Sequence, residues 1–177
     1  HHRTRGRNDR FLQAPDRLGV SMSKIEARLI ELGFPLPEVA KPVAAYVPSV
    51  VTGNLCFTSG QLPFVNGVMP AAGKVGNGEG LVDPAVAKDL ARLCALNALA
   101  ALKLSIGDLD RVTRIVKVVG FVSVVPEFTA IPGVMNGASE FLGEVFGEAG
   151  AHARSAVGVP ALPLDSAVEV EIIAEFK

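Results

Sequence analysis

The chain has 177 residues and a mass of 18.5 kDa, enough for one sizeable core and cramped for two. Hydrophobic residues make up 49% and charged residues 20%, which excludes a disordered chain, and no uncharged apolar run of about 18 residues exists to span a membrane. From Met22 on, 12 basic and 16 acidic residues give a net charge of −4, a poor basis for gripping nucleic-acid phosphates.

Residues 1–21 open with two histidines, hold five Arg and two Asp, and lack the apolar core of a signal peptide. They read as a tag remnant, linker or upstream extension, with Met22 a plausible start of a single domain over residues 22–177. Ser23 to Gly33 reads as a short helix: Ser23 and Glu26 form a capping-box pattern, Ile25, Leu29 and Leu32 share a face, and Gly33 ends it. Phe34 to Pro48 holds four prolines and reads as an extended connector. Val50 to Ser59 reads as two strand pieces around a Gly53-Asn54 turn, and Phe64 to Met69, with Asn66-Gly67 at its centre, as a tight hairpin.

Asp83-Pro84 starts a second helix that runs to about Leu104 and stops at Gly107. Val86, Leu90, Leu93, Asn97, Ala100 and Leu104 trace one face of it. Asp108 to Asp110 reads as a turn. Arg111 to Val124 is a long β-branched strand with Val112, Val116, Val118, Val122 and Val124 on one side. Pro132 to Phe146 holds the third helix; Ala153 to Val159 and Ala167 to Phe176 are closing strands. In the last, Val168, Val170, Ile172, Ala174 and Phe176 alternate with Glu169, Glu171, Ile173 and Glu175, so the first two glutamates point the same way. The order helix, β-β, helix, β, helix, β-β predicts an α+β fold: a mixed β-sheet with two main helices on one face plus an extra N-terminal helix.

Cys56 and Cys94 read as buried free thiols, which fits a reducing, cytoplasmic setting. Beyond the terminal pair the sole histidine is His152, so a Ser-His-Asp triad has one candidate base, and no G-x-S-x-G elbow is present. Without a C-x-x-C or H-E-x-x-H, no metal site is expected. The Gly-rich stretch Gly73 to Gly80 matches neither phosphate-binding pattern and reads as a flexible surface loop.

Arg154, at the start of a small-residue strand, is either a fork for a carboxylate or a rim cation paired with an acid on the next strand, where Glu169 could serve. Glu169 as a general acid/base would need a raised pKa in a closed site. Tyr46, the sole tyrosine, either caps a pocket or staples its loop. Asn136, near a helix start, reads first as a cap.

Four segments taken together carry a resemblance. Gly53-Asn54-Leu-Cys-Phe-Thr-Ser59-Gly60-Gln61-Leu-Pro63, Ala153-Arg154-Ser155-Ala-Val157, Leu162-Pro163 and Val168-Glu169-Val170-Glu171 occur in the order found in the Rid family, also called YjgF-like or endoribonuclease L-PSP. The chain resembles that family over about residues 43–177, with longer Ser23 to Pro42 and Pro126 to Pro132 segments, as in a distinct longer branch. The resemblance implies a chorismate-mutase-like fold of the trimeric type, a homotrimer with ligand clefts between subunits. It implies hydrolysis of enamines and imines, such as 2-aminoacrylate and 2-imino acids, to 2-oxo acids and ammonia, with no cofactor or metal.

By motif position Arg154 matches the arginine that grips the substrate carboxylate, and Glu169 the glutamate that holds or activates water. Tyr46 matches a pocket tyrosine, Gly60 the glycine beside the pocket, and Asn136 a further pocket residue, more loosely. Ala156 stands where many family deaminases have cysteine, which marks divergence. The alternative is a non-catalytic trimer that holds a small carboxylate metabolite. An endoribonuclease is disfavoured by the charge and by the lack of a histidine pair.

Overall fold

The computed structural model describes residues 22–39 and 45–177. The segment 1–21 and part of the Pro-rich connector lie outside the described residues. Helix α1 (Lys24–Glu31) is capped by Ser23, whose Oγ accepts from Glu26 N at 3.3 Å. The capping box is only half formed, because the Glu26 carboxylate turns away to Lys103 at 2.8 Å. Asp110 completes the cap from 85 to 87 residues away, accepting from Ser23 Oγ, Lys24 N and Ile25 N at 2.8–2.9 Å. Leu29 is the one fully buried residue of α1.

Strands β1 (Ser49–Thr52) and β2 (Leu55–Thr58) form a hairpin, with Gly53 at φ 59° in the turn. Helix α2 (Pro84–Ile106) begins under Asp83, which accepts from Ala85 N at 2.8 Å, and ends at Gly107. Strand β3 (Val112–Ser123), helix α3 (Ile131–Phe146), strand β4 (Ala153–Val159) and strand β5 (Val168–Phe176) follow. The sheet order is β1-β2-β5-β3-β4. Among the five described strands β3 and β4 alone pair in parallel, which is the pairing that the α3 crossover permits. The architecture is therefore α+β with a mixed sheet.

Helices α2 and α3 pack on each other and on one sheet face. Their backbones run close: a Cβ on Gly137 would stand 1.9 Å from the Lys88 carbonyl oxygen. Val168, Val170, Ile172 and Ala174 of β5 are buried beneath them. The other sheet face, with Phe57, Phe121, Val157 and Ile173 beside the β5 glutamates, is only partly covered.

Three expectations are corrected. Irregular pairing between Val112 and Arg114, and between Ile115 and Lys117, breaks the even alternation of β3, so Ile115 is fully buried and Val116 only partly. In α2 the stripe of the sequence reading is skewed: Val86 and Leu104 remain exposed, and Ala87, Ala91, Cys94 and Ala98 take the core side with Leu90. The Gly-rich stretch is not all surface. Val75 bridges Val82 and Val124 at the sheet margin, and both it and Gly76 are buried, while residues 77–80 are exposed.

Candidate functional site

Arg154 lies on the edge strand β4, aligned with Val118 of β3, which in turn aligns with Ile172 of β5. Those partners are buried under the helices, so Arg154 points to the helix-covered side. There α3 meets it. Gly120 of β3 lets α3 come close, because a Cβ at that position would stand 2.3 Å from Met135 Sδ. The turn after Met135 then presents Asn136 and Ser139, three residues apart and on one helix face.

Arg154 Nη1 donates to Asn136 Oδ1 at 2.8 Å and to Ser139 Oγ at 3.1 Å; Nη2 reaches the Pro132 carbonyl oxygen at 3.5 Å. Among the described residues no carboxylate pairs with Arg154, so the rim-ion-pair reading fails. Nor does Asn136 cap α3. The N-cap position is Ala130, with no side-chain bond, and Asn136 lies in the second turn, serving Arg154 instead.

His152 extends this cluster, with Nε2 at 2.8 Å from Ser139 Oγ and Nδ1 at 2.6 Å from the Gly150 carbonyl oxygen. Ser139 carries no signal of its own in the sequence, where His152 stands out only as a candidate triad base. The available signal was spacing: His152 stands two positions before Arg154, and Asn136 three positions before Ser139 on one helix.

Glu169 belongs to a different neighbourhood. It aligns with Phe121, one residue out of phase with the buried row, and so points to the open sheet face with Glu171. Gly60 abuts it: a Cβ there would stand 2.6 Å from Glu169 Oε2, so no larger residue fits without moving the carboxylate. The segment after β2 that carries Gly60 is pinned by paired backbone bonds between Gln61 and Val170, and by Asn97 Nδ2, which donates to the Leu62 and Phe64 carbonyls at 2.9 and 3.0 Å. Asn97 is thus a clamp rather than an ordinary member of an apolar stripe.

Burial pushes the Glu169 carboxyl above its ordinary value, and the Glu171 charge adds to the rise. The Cys94 thiol, fully buried and next to the Val168 carbonyl, is pushed well up by burial and then by the Glu169 charge. Both cysteines are free and buried, as expected. The Tyr46 side chain is half exposed. Its segment is tied to the Gly60 segment, because Ser59 Oγ donates to the Val47 carbonyl at 2.6 Å. Within one chain, then, Arg154 and Asn136 come together, and Glu169, Gly60 and the Tyr46 segment come together. The two groups lie on opposite sheet faces with β3 between them. No set of three or more His, Cys, Asp or Glu able to hold a metal occurs among the described residues. Nor is any described helix long and apolar enough to cross a membrane.

Comparison with known proteins settles the ancestry of this arrangement. The family model described as YjgF/chorismate mutase-like, with a conjectural endoribonuclease role, matches residues 26–176. The chain belongs to the YjgF family. Relatives within it include TCP17 of Trypanosoma cruzi, 42% identical over 160 residues, covering 89% of this chain and 97% of that protein. Another is TdcF of Escherichia coli strain K12, named as a candidate reactive intermediate deaminase, 34% identical over 135 residues and covering 75% of this chain and 87% of TdcF. Among solved structures, Atu1372 of Agrobacterium tumefaciens, of unknown function, is 45% identical with a TM-score of 0.78, covering 86% of this chain and 92% of that one. The crystal structure of E. coli TdcF with bound serine has a TM-score of 0.56 at 27% identity, over 79% of this chain and 94% of TdcF. The fold is YjgF-like, as the four sequence segments implied.

Proposed function

We propose that this YjgF-family protein hydrolyses 2-imino acids and their enamine tautomers to 2-oxo acids and ammonia, with Arg154 as carboxylate clamp and Glu169 as general acid/base. The observation that carries the reading is the state of Arg154. Its Nη1 is held by two uncharged acceptors, while no acceptor engages Nε among the described residues and Nη2 has only a long contact. The Nε–Nη2 edge is the side-on fork that binds a carboxylate with two parallel bonds. TdcF, the relative with serine bound in its crystal structure, supports a small carboxylate-bearing ligand.

The chemistry asks little more. A protonated imine carbon is already electrophilic, so the protein must fix the carboxylate and place one water. Glu169 takes a proton from the water as its oxygen adds to the C=N carbon. The same proton goes to the amine nitrogen; Glu169 then takes the hydroxyl proton of the adduct as the C–N bond breaks, the C=O forms and ammonia leaves, and that proton passes to the ammonia or to water. A carboxyl raised by burial suits both transfers near neutral pH.

Arg154 and Glu169 of one chain face opposite sides, so a shared substrate requires two copies. In this reading β4 and α3 of one subunit bring Arg154 and Asn136, and the neighbouring subunit brings Glu169, Gly60 and Tyr46. A homotrimer with its sites between subunits satisfies this, and the partly covered apolar residues Phe57, Phe121, Val157 and Ile173 supply a surface for assembly.

The test is a coupled assay. An amino-acid oxidase generates imines from small, branched and aromatic amino acids, and semicarbazide traps what survives. The expected result is faster imine loss with the protein present, abolished by Arg154→Ala. No acceleration on any imine overturns the enzyme reading in favour of a trimer that only holds a carboxylate.

A further inference from the structure

Arg154 does not hold its own orientation. Its guanidinium leans on Ser139, and Ser139 in turn depends on His152. A carbonyl oxygen can only accept, so His152 Nδ1 donates to Gly150 at 2.6 Å. In the neutral ring Nε2 then carries the lone pair, and at 2.8 Å it accepts the Ser139 hydroxyl hydrogen. That fixes the hydroxyl's rotation and turns its lone pairs toward Arg154 Nη1 at 3.1 Å. With Asn136 Oδ1 accepting the second Nη1 hydrogen at 2.8 Å, the guanidinium plane cannot turn without breaking two bonds.

The fold is arranged to bring the imidazole to this place. A Cβ on Gly150 would stand 2.3 Å from the Leu142 carbonyl oxygen, so only glycine lets the turn before β4 press against α3. His152 follows two residues later, against the Ser139 face of the same helix. If the imidazole is removed, the hydroxyl has another acceptor, the Met135 carbonyl four residues back in its own helix. A rotamer serving that carbonyl is no longer tied to Arg154.

We infer that His152 is a positioning residue: through Ser139 it locks the Arg154 guanidinium with its Nε–Nη2 edge outward, ready for a ligand carboxylate. The inference rests on the proposed carboxylate clamp, yet the lock itself can be observed without any ligand.

In nitrogen-15-labelled protein, the Arg154 side-chain signals are identified by their disappearance in Arg154→Lys. Wild type is expected to show hindered rotation about the Cζ–Nη bonds. His152→Phe, which keeps ring bulk but removes donor and acceptor, is expected to show fast averaging; His152→Gln, whose amide supplies both, is expected to restore the hindrance. In parallel, calorimetric titration with 2-oxobutyrate is expected to show Kd raised about tenfold in His152→Phe and in Ser139→Ala, as for loss of a bond to a charged group. The double variant is expected to be no worse than either single one.

Hindered rotation that persists in His152→Phe overturns the proposal whatever the ligand does. Rotation freed as expected, but with Arg154→Lys binding 2-oxobutyrate as tightly as wild type, overturns the clamp reading instead. The two failures are thus distinguishable.

Discussion

Around Arg154 the neighbours are an amide oxygen, a hydroxyl and a backbone carbonyl, all uncharged, gathered about one permanent cation. Around Glu169 they are a glycine with no room to spare, a second carboxylate and a buried thiol. The first set preserves a charge and fixes its direction. The second makes a charge harder to keep. A binding group and a proton-transfer group need these opposite treatments, and the chain supplies them on opposite faces of one sheet.

The sharpest way to break the comparison is Arg154→Ala. It is expected to lower kcat/KM for 2-imino acids by about 100-fold or more, because orientation of the substrate is lost, while the far-ultraviolet circular dichroism and the thermal midpoint stay close to wild type. Gly60→Ala attacks the other face. The added methyl collides with Glu169 Oε2, so activity is expected to fall about tenfold with 2-oxo acid binding to Arg154 reduced far less, as the ratio of kcat to KM effects would report. Gly120→Ala tests how α3 is seated: a Cβ amid Met135 overpacks the core, and the urea midpoint is expected to drop by the equivalent of about 1–3 kcal/mol.

In stability, Glu169→Gln gives the smallest and most diagnostic effect. A carboxyl whose folded pKa is raised favours the folded state when protonated, so its contribution to stability is present at low pH and lost as pH rises through the folded pKa. The glutamine variant is expected to be more stable than wild type near neutral pH, with the gain vanishing as acid brings wild-type Glu169 to its protonated form. Urea midpoints measured across that range check it; a gain independent of pH would show that the Glu169 charge is not under pressure.

The elements and their order were readable because local signals agreed with the fold. Asp83-Pro84 and Gly107 mark α2 at both ends, and the alternation in β5 gave its buried row. The β3 alternation misled because a register shift cannot be seen in a run of valines, each of which suits either face. The site was legible only in halves. Arg154 and Glu169 stood out by type and setting, but nothing in the spacing of residues on separate strands tells which sheet face each takes once β5 inserts beside β3. Asn136 was misread because Ala130 holds the cap position without a side-chain bond, so no cap signal marked where α3 truly begins. Asn97 passed for an ordinary face residue, since its role lies in two carbonyls of a loop 33 to 35 residues away.

The place of β5 in the sheet carries one more consequence, for folding. Of the described strands it is the last in chain order and the central one in space, joining β2 on one side to β3 on the other. Until it docks, the chain holds two ribbons, β1–β2 and β3–β4, that share no ladder. Each presents an unpaired inner edge to the other contents of the cell. The folding protein therefore has no half-built stage with a closed sheet to rest in, and its exposure to chaperones and to misassembly with its own kind is concentrated in the time before residues 168–176 dock.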